Sequence, residues 1–204
     1  LDGSPFTILH LGFRPNAEQW SNEFQIQGAA MVGALEWIAG LYYFTENGDD
    51  QSDVDFFGLF NSRSGGDAKN TSSSVFAQGS YTFPSMPALT LNAGFRYTWD
   101  RRAVTLRPRF DGDCAFVDAS GTALCSFHAK DKWDAPTWTL GLDYRLNEDT
   151  LLYISHRRGY RSGGFNLTSR SEAELLPAYD PEIITDVEVG AKSDWSIAGV
   201  PART

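Results

Sequence analysis

A chain of 204 residues carrying 26 acidic against 17 basic side chains, net charge −9, is poorly suited to gripping a nucleic-acid backbone, which selects for clustered positive charge. Six Trp, eight Tyr, fourteen Phe and 19 Gly beside two Met favour strands and turns over helices. No apolar run approaches the roughly 20 residues of a membrane-spanning helix; this leaves open the alternating strands of a membrane β-barrel, each only about 9–11 residues long.

Leu1-Asp2-Gly3-Ser4-Pro5 begins without Met and reads as the inside of a loop, so the chain is expected to be a piece of something longer. Residues 21–29, SNEFQIQGA, set Phe24 and Ile26 against Glu23, Gln25 and Gln27. A short turn over Gly28 to Gly33 leads into 35–44, LEWIAGLYYF, where Leu35, Trp37, Ala39, Leu41 and Tyr43 share a face. The two strands predict a hairpin. Residues 45–72 are polar, with Glu46, Asp49, Asp50, Asp53 and Asp55 around an aromatic island at Phe56, Phe57 and Phe60. No calcium-loop spacing occurs there, and a solvated loop is expected.

Residues 74–83 place Val75, Ala77, Gly79, Tyr81 and Phe83 on one side; Pro84 and Pro87 then mark a tight turn. The most regular strand, 89–99, sets Leu89, Leu91, Ala93, Phe95, Tyr97 and Trp99 against Thr90, Asn92, Gly94, Arg96 and Thr98. A long loop, 100–132, follows and holds Cys114 and Cys125. No His/Cys set stands beside them, so a zinc site is not expected; a disulfide is favoured over two free thiols and would place the loop in an oxidising setting. Residues 137–146 alternate again, Asn147-Glu148-Asp149-Thr150 turns the chain into a strand over 151–160, and a third long loop runs over 161–180. The last strand, 182–195, opposes Val187, Val189, Ala191 and Trp195 to Asp186, Glu188 and Lys192, after which Ile197 to Pro201 completes no further element.

Turns alternate between short and long, so one side of the structure carries tight turns and the other large loops. The apolar faces carry aromatics near strand ends: Tyr43, Tyr81, Phe83, Tyr97, Trp99, Tyr144 and Trp195. Together these predict an all-β, antiparallel transmembrane barrel segment of about seven strands, with aromatic girdles at two interfaces. A soluble sandwich has no need of girdles or one-sided loops. The opposite face, with Gln25, Gln27, Gln78, Asn92, Arg96, Asp143, Arg145, Glu188 and Lys192, suits a wide wet lumen and would be costly in a small dry barrel.

The stretch YISHRRGYRSGGFN, followed by YDPEIITDVEVGAKSDW, resembles the barrel of TonB-dependent outer-membrane receptors. SNEFQIQG, LEWIAGLYYF, SVFAQGSYTF and LTLNAGFRYTWDRR are similar to successive strands of the same family, so the resemblance covers most of residues 21–195. It implies a closed barrel of about 22 strands with an N-terminal plug, outer-membrane localisation, and uptake of a scarce ligand driven by the TonB energy-transducing complex. No plug or energy-coupling box is recognisable here. The expectation for residues 1–204 is therefore a partial barrel domain, too few strands to close and unable to transport alone.

SHRRGYRSGGFN, 155–166, also raises the question of a glycine-rich phosphate cradle. Such a cradle must open a helix, and no helical period of useful length appears before Pro177. Gly159, Gly163 and Gly164 are instead read as backbone freedom where a strand bends into a loop. Arg157 and Arg158 must face opposite sides, one toward lumen or plug, the other toward the polar interface, where a plain structural role is favoured over contact with the phosphates of lipopolysaccharide.

His10, His128 and His156 lie on separate segments, and Asp131 and Asp134 near His128 have no nucleophile to serve, so neither metal site, cofactor nor enzyme is expected. The sequons at Asn70 and Asn166 read as chance matches. Ligand-binding candidates are Phe56, Phe57 and Phe60 in the acidic loop, with Tyr160, Arg161, Phe165 and Asn166; the equally weighted alternative is that the exposed aromatics simply pack on one another. The expected function is TonB-dependent import of a ferric siderophore or comparable iron chelate, vitamin or sugar. The alternatives are a passive porin and a soluble β-sandwich binding carbohydrate. Expected partners are outer-membrane lipid and lipopolysaccharide, the TonB complex through the plug, and the small-molecule ligand.

Overall fold

The computed structural model describes residues 8–197 and 200–203, with side chains through Trp195. The chain opening at Leu1–Pro5 lies outside the described residues, as do Ala198 and Gly199. In order come β1 (Leu9–Phe13), β2 (Asn16–Ala30), β3 (Leu35–Phe56), β4 (Phe60–Thr82), β5 (Leu89–Leu106), β6 (Arg109–Phe110), β7 (Asp113–Cys114), β8 (Phe116–Val117) and β9 (Ala123–Leu124). They are followed by β10 (Phe127–Arg145), β11 (Thr150–Arg161), a single helical turn α1 (Glu172–Leu175), β12 (Glu182–Ile197) and β13 (Val200–Arg203). The long strands form an antiparallel meander in the order β2, β3, β4, β5, β10, β11, β12, β13. β1 and β2 lie end to end along β3, interrupted at Arg14-Pro15, where proline lacks the N–H that the ladder needs. β2 and β13 do not pair with each other, so the sheet stays open among the described residues.

Alternation explains the faces. Across β2, β3, β4, β5 and β10, the residues Ile26, Ala39, Ala77, Phe95 and Trp138 stand opposite one another in register. One row closer to the short turns, Trp37, Gly79, Ala93 and Leu140 do the same. This apolar face is exposed: Phe24 retains 62% of its accessible surface, Phe95 50% and Val189 73%. A continuous exposed apolar sheet face is an interaction surface. Its aromatic edges are Tyr81 against Phe83 at one end and Trp20 against Tyr43 and Tyr97 against Trp99 at the other. Leu35 to Tyr43 spans eight steps, about 26 Å along the strand at about 3.3 Å per step and about 20 Å after a tilt near 40°, close to the apolar height of an outer-membrane barrel. Gln25, Gln27, Gln78, Asn92, Arg96, Asp143, Arg145, Glu188 and Lys192 all share the other face.

Two long loops are shorter than the sequence predicts. Residues 45–72 form no loop: β3 and β4 pair without a break from Leu35 with Tyr81 out to Phe56 with Phe60. Beyond the aromatic edge both faces meet water, so Ser, Asn and Asp fill both sides and the period-2 signal vanishes while the backbone ladder persists. Likewise β5 runs to Leu106 and β10 starts at Phe127, which leaves 107–126 as the loop. The turn at 28–34 tightens to Met31–Ala34, with Met31, Val32 and Gly33 all at positive φ.

The buried core is small and lies at the long-loop end. Val104 and Leu106 continue the polar-face parity of Asn92 and Arg96, and with Ala129 they pack against Phe116, Phe165 and Leu175 from the two remaining loops.

Candidate functional site at the long-loop mouth

The β3–β4 hairpin projects beyond the aromatic edge and ends in a turn at Phe57-Gly58-Leu59. The Leu59 N–H donates to the Phe56 carbonyl at 3.0 Å, and the Gly58 N–H donates to Asp55 Oδ1 at 2.9 Å. Phe56 packs edge-on against Phe57 at 4.8 Å between centroids and stacks on Phe60 at 5.3 Å; Phe60 in turn stacks on Phe110 at 6.0 Å. All four rings remain 36–50% exposed. Phe110 is not among the residues that stand out in the sequence. The β6–β7 hairpin brings it in by pairing with Ser62 and Arg63, and Asp111 exchanges bonds with Asn61 at 2.7 and 2.8 Å. The Asp111-Gly112 pair is a hairpin signal, but nothing local announces where that hairpin docks.

The loop over 107–126 is pinned three ways. Cys114 and Cys125 are disulfide-bonded. Arg107 bonds Asp67, and the guanidinium holds the Asp67 carboxyl below the usual carboxylate range. Asp118 Oδ1 accepts from the Ser120 hydroxyl at 2.7 Å and the Ser120 and Thr122 amides at 2.9 and 2.8 Å, which lowers its pKa too.

The loop over 162–181 is held by Phe165, 9% exposed, and Leu175, 1% exposed. Its glycines have a steric rather than a conformational purpose: neither Gly163 nor Gly164 is at positive φ. A Cβ at Gly163 would lie 2.2 Å from the Tyr179 carbonyl oxygen and 2.6 Å from the Trp133 ring; one at Gly164 would lie 2.3 Å from the Tyr179 hydroxyl. The single-turn α1 carries Glu172 and Glu174 in its first turn, which disfavours a phosphate.

The remaining candidates divide accordingly. Tyr160 is half-buried beside the carboxylates of Asp100 and Asp134. Arg161 stays exposed, 3.6 Å from Glu182. Asn166 Oδ1 accepts from the Thr168 amide at 3.0 Å and hydroxyl at 2.8 Å, so it shapes its own turn. The structure brings Phe56, Phe57 and Phe60 together and leaves Phe165 in the loop core.

Below the mouth, the polar face is a connected wall. Ser80 donates to Asn92 at 2.6 Å and Asn92 Nδ2 to Asp143 at 2.9 Å. Arg157 donates to Asp186 at 3.0 Å and Glu188 at 2.7 Å, and Tyr153 donates to Glu188 at 2.8 Å. Arg158 points the other way, over the Trp138 ring on the apolar face at 4.9 Å. This resolves which arginine faces which side. The histidines are dispersed: His128 Nδ1 meets the Thr105 hydroxyl at 3.2 Å, and His156 Nδ1 accepts from Trp138 Nε1 at 3.2 Å. No three metal-ligating side chains converge among the described residues.

A polar wall, an apolar outer face between aromatic edges, and loops gathered at one end are the parts of a receptor barrel, and the model of the TonB dependent receptor-like β-barrel family matches residues 4–200. The chain belongs to that family. TonB-dependent receptors are outer-membrane receptors and transporters, not enzymes. Among solved structures, the ferric yersiniabactin uptake receptor FyuA from Yersinia pestis matches with a TM-score of 0.75 at 15% identity, over 92% of this chain and 28% of that one. The siderophore receptor PiuA from Acinetobacter baumannii matches at 0.62 and 17% identity, over 90% of this chain and 30% of that one. The RagAB peptide transporter matches at 0.50 and 14% identity, over 90% of this chain and 20% of that one. The chain thus spans less than a third of these barrels' chains, and the likeness is one of fold.

Proposed function

We propose that residues 1–204 form part of the barrel wall of an outer-membrane receptor that imports a scarce ligand, a ferric siderophore or similar iron chelate, with energy from the TonB complex acting through a plug. The observation that carries the proposal is the pairing of a wet polar wall with an aromatic mouth on the same sheet face. Arg157, Asp186, Glu188, Asp143 and Asn92 line that wall, and Phe56, Phe60 and Phe110 stack above it. A dry core would reject the first set, and a simple water-filled pore has no use for the second. Two neighbours whose names specify iron-chelate receptors support the cargo class.

In this reading Phe56, Phe57, Phe60 and Phe110 supply flat apolar contacts to an aromatic chelate, and Arg161 offers a cation to its acidic groups. Tyr160, Phe165 and Asn166 serve the site by shaping the loop over 162–181. Phe24, Phe95, Leu140 and Val189 face outer-membrane lipid, and no resident cofactor takes part.

The test is uptake of iron-loaded chelates, vitamin B12 and oligosaccharides by cells that make the full-length parent receptor. Uptake of an iron chelate that stops when TonB is removed supports the reading. Uptake of any solute that continues without TonB makes the protein a passive channel, and TonB-dependent uptake of the vitamin or sugar alone reassigns the cargo.

A further inference from the structure

The loop over 107–126 holds a charged group that neither the mouth nor the wall uses. Across β3, β4, β6 and β7 the residues Asp53, Arg63, Arg109 and Cys114 stand opposite one another in one row. Arg63 takes the Asp53 carboxylate at 2.5 Å, and Arg14 approaches it at 3.7 Å. Arg109 enters no ion pair among the described residues. Its guanidinium lies against the disulfide instead: Nη1 donates to Cys114 Sγ at 3.1 Å and to Cys125 Sγ at 3.5 Å. The acids of the same loop are placed for other work. Asp111 accepts from the Asn61 amide, Asp113 stands across from Phe110 on the other face of the hairpin, and Asp118 holds Ser120 and Thr122.

The two sulfurs are not equivalent. Cys125 is exposed and Cys114 half-buried, so an entering nucleophile meets Cys125 and Cys114 becomes the leaving group. A thiolate leaves faster the better its charge is stabilised, and a guanidinium at hydrogen-bond distance stabilises it. A new anion also suits the row, because Arg63 and Arg109 stand directly opposite each other, where like charges repel. Opening the bond does not dismantle the loop. The β8–β9 ladder lies between the two cysteines, and Phe116 is fully buried and stacks on Phe127 at 4.6 Å. What loses its tether is the β6–β7 hairpin, which ends at Cys114 and carries Phe110 onto Phe60.

We propose that Cys125 is a modification site for small soluble thiols, which exchange into its disulfide with Cys114 as the leaving group and Arg109 stabilising the departing thiolate. The entering thiolate sulfur bonds Cys125 Sγ while the Cys114–Cys125 bond breaks, and the electron pair of that bond departs on Cys114. The small thiol ends oxidised in the mixed disulfide, Cys114 ends reduced, and the proton of the thiol passes to solvent. The product frees the β6–β7 hairpin at one end and loosens Phe110, so the modification tunes the aromatic mouth. None of this depends on which cargo the receptor carries.

The test exposes the purified full-length receptor, in detergent micelles and without any chelate, to excess reduced glutathione near neutral pH. Acid quenching and peptide mass spectrometry then read which cysteine carries the adduct and how fast it forms. The wild type is expected to carry glutathione on Cys125 rather than Cys114. R109Q is expected to slow the exchange about fivefold, R109K to restore most of the rate, and R101Q on β5 to leave it unchanged. A variant that merely loosened the loop would expose the bond and exchange faster, so slowing separates the work of the cation from damage to the fold. In the adduct, hydrogen exchange is expected to quicken at 109–114 and to stay as it was at 89–99. Absence of an adduct, an adduct chiefly on Cys114, exchange in R109Q as fast as or faster than the wild type, equal slowing in R109K, or unaltered hydrogen exchange at 109–114 would overturn the inference.

Discussion

Leu106→Ala in the full-length receptor should loosen the mouth without touching the membrane-embedded wall. Leu106 is fully buried, across from Phe127 in register and clustered with Val104, Phe116, Phe165 and Leu175. Truncation removes three carbons at about 0.8 kcal/mol each, about 2.4 kcal/mol of transfer free energy, and the cavity left behind carries the total into the range of roughly 2.5–5 kcal/mol. The cluster joins the loops over 107–126 and 162–181 to the ends of β5 and β10, so the loss appears as easier local opening of those loops. Hydrogen exchange read by mass spectrometry should show amides in both loops exchanging about 50-fold faster or more, with the ladder over 89–99 unchanged. Acceleration below about tenfold, or spread evenly through β5, would refute the placement of these loops on one shared core.

Gly163→Ala forces a Cβ to within 2.2 Å of the Tyr179 carbonyl oxygen, and limited proteolysis should cut the variant faster within 162–181 than the wild type. Cys114→Ser with Cys125→Ser removes a cross-link 11 residues apart, worth about 2–3 kcal/mol by loop closure, and should speed exchange in 107–126 while leaving 162–181 slower to respond. The Asp67 carboxyl is held below its usual range by Arg107, so its pairing contributes fully above the unfolded-state value near pH 4 and is lost as pH falls through the lower folded value. Both groups are about half exposed, which keeps the effect to a fraction of 1 kcal/mol. Protection near 105–108, taken relative to the intrinsic exchange rate at each pH, should fall by less than about fivefold on acidification below about pH 4 in the wild type and fall less in Asp67→Asn.

The membrane-embedded part was legible because lipid on one side and water on the other force a period of two. Leu89 to Trp99 displays that period openly, and the register with β4 and β10 carries it across the sheet. Above the girdle the same strands lose it. Ser52 bonds Ser64 at 2.7 Å, Asn70 bonds Glu46 at 2.9 Å, and Arg63 bonds Asp53 at 2.5 Å, all of them polar pairs that a sequence window cannot distinguish from a loop. At the mouth, the aromatic island at Phe56, Phe57 and Phe60 was visible as composition, whereas the arrival of Phe110 depended on a hairpin docking across 48 residues of chain, from Ser62 to Phe110. Phe165 looked like a loop aromatic because its partners Trp133, Leu106 and Phe116 come from other segments. Gly163 and Gly164 stood out in the sequence, but the Trp133 and Tyr179 contacts that require them did not.

The most direct test of the account is a scan of single spin labels along residues 89–99 and 137–143 in the full-length receptor reconstituted into lipid vesicles. Labels at 91, 93, 95, 138, 140 and 142 should be relaxed by oxygen dissolved in the bilayer, and those at 90, 92, 94, 139, 141 and 143 by a water-soluble nickel chelate, alternating residue by residue. Water-soluble quencher access at 95 and 140 equal to that at 94 and 139 would contradict it, because the face carrying Phe95 and Leu140 would then not be the lipid face.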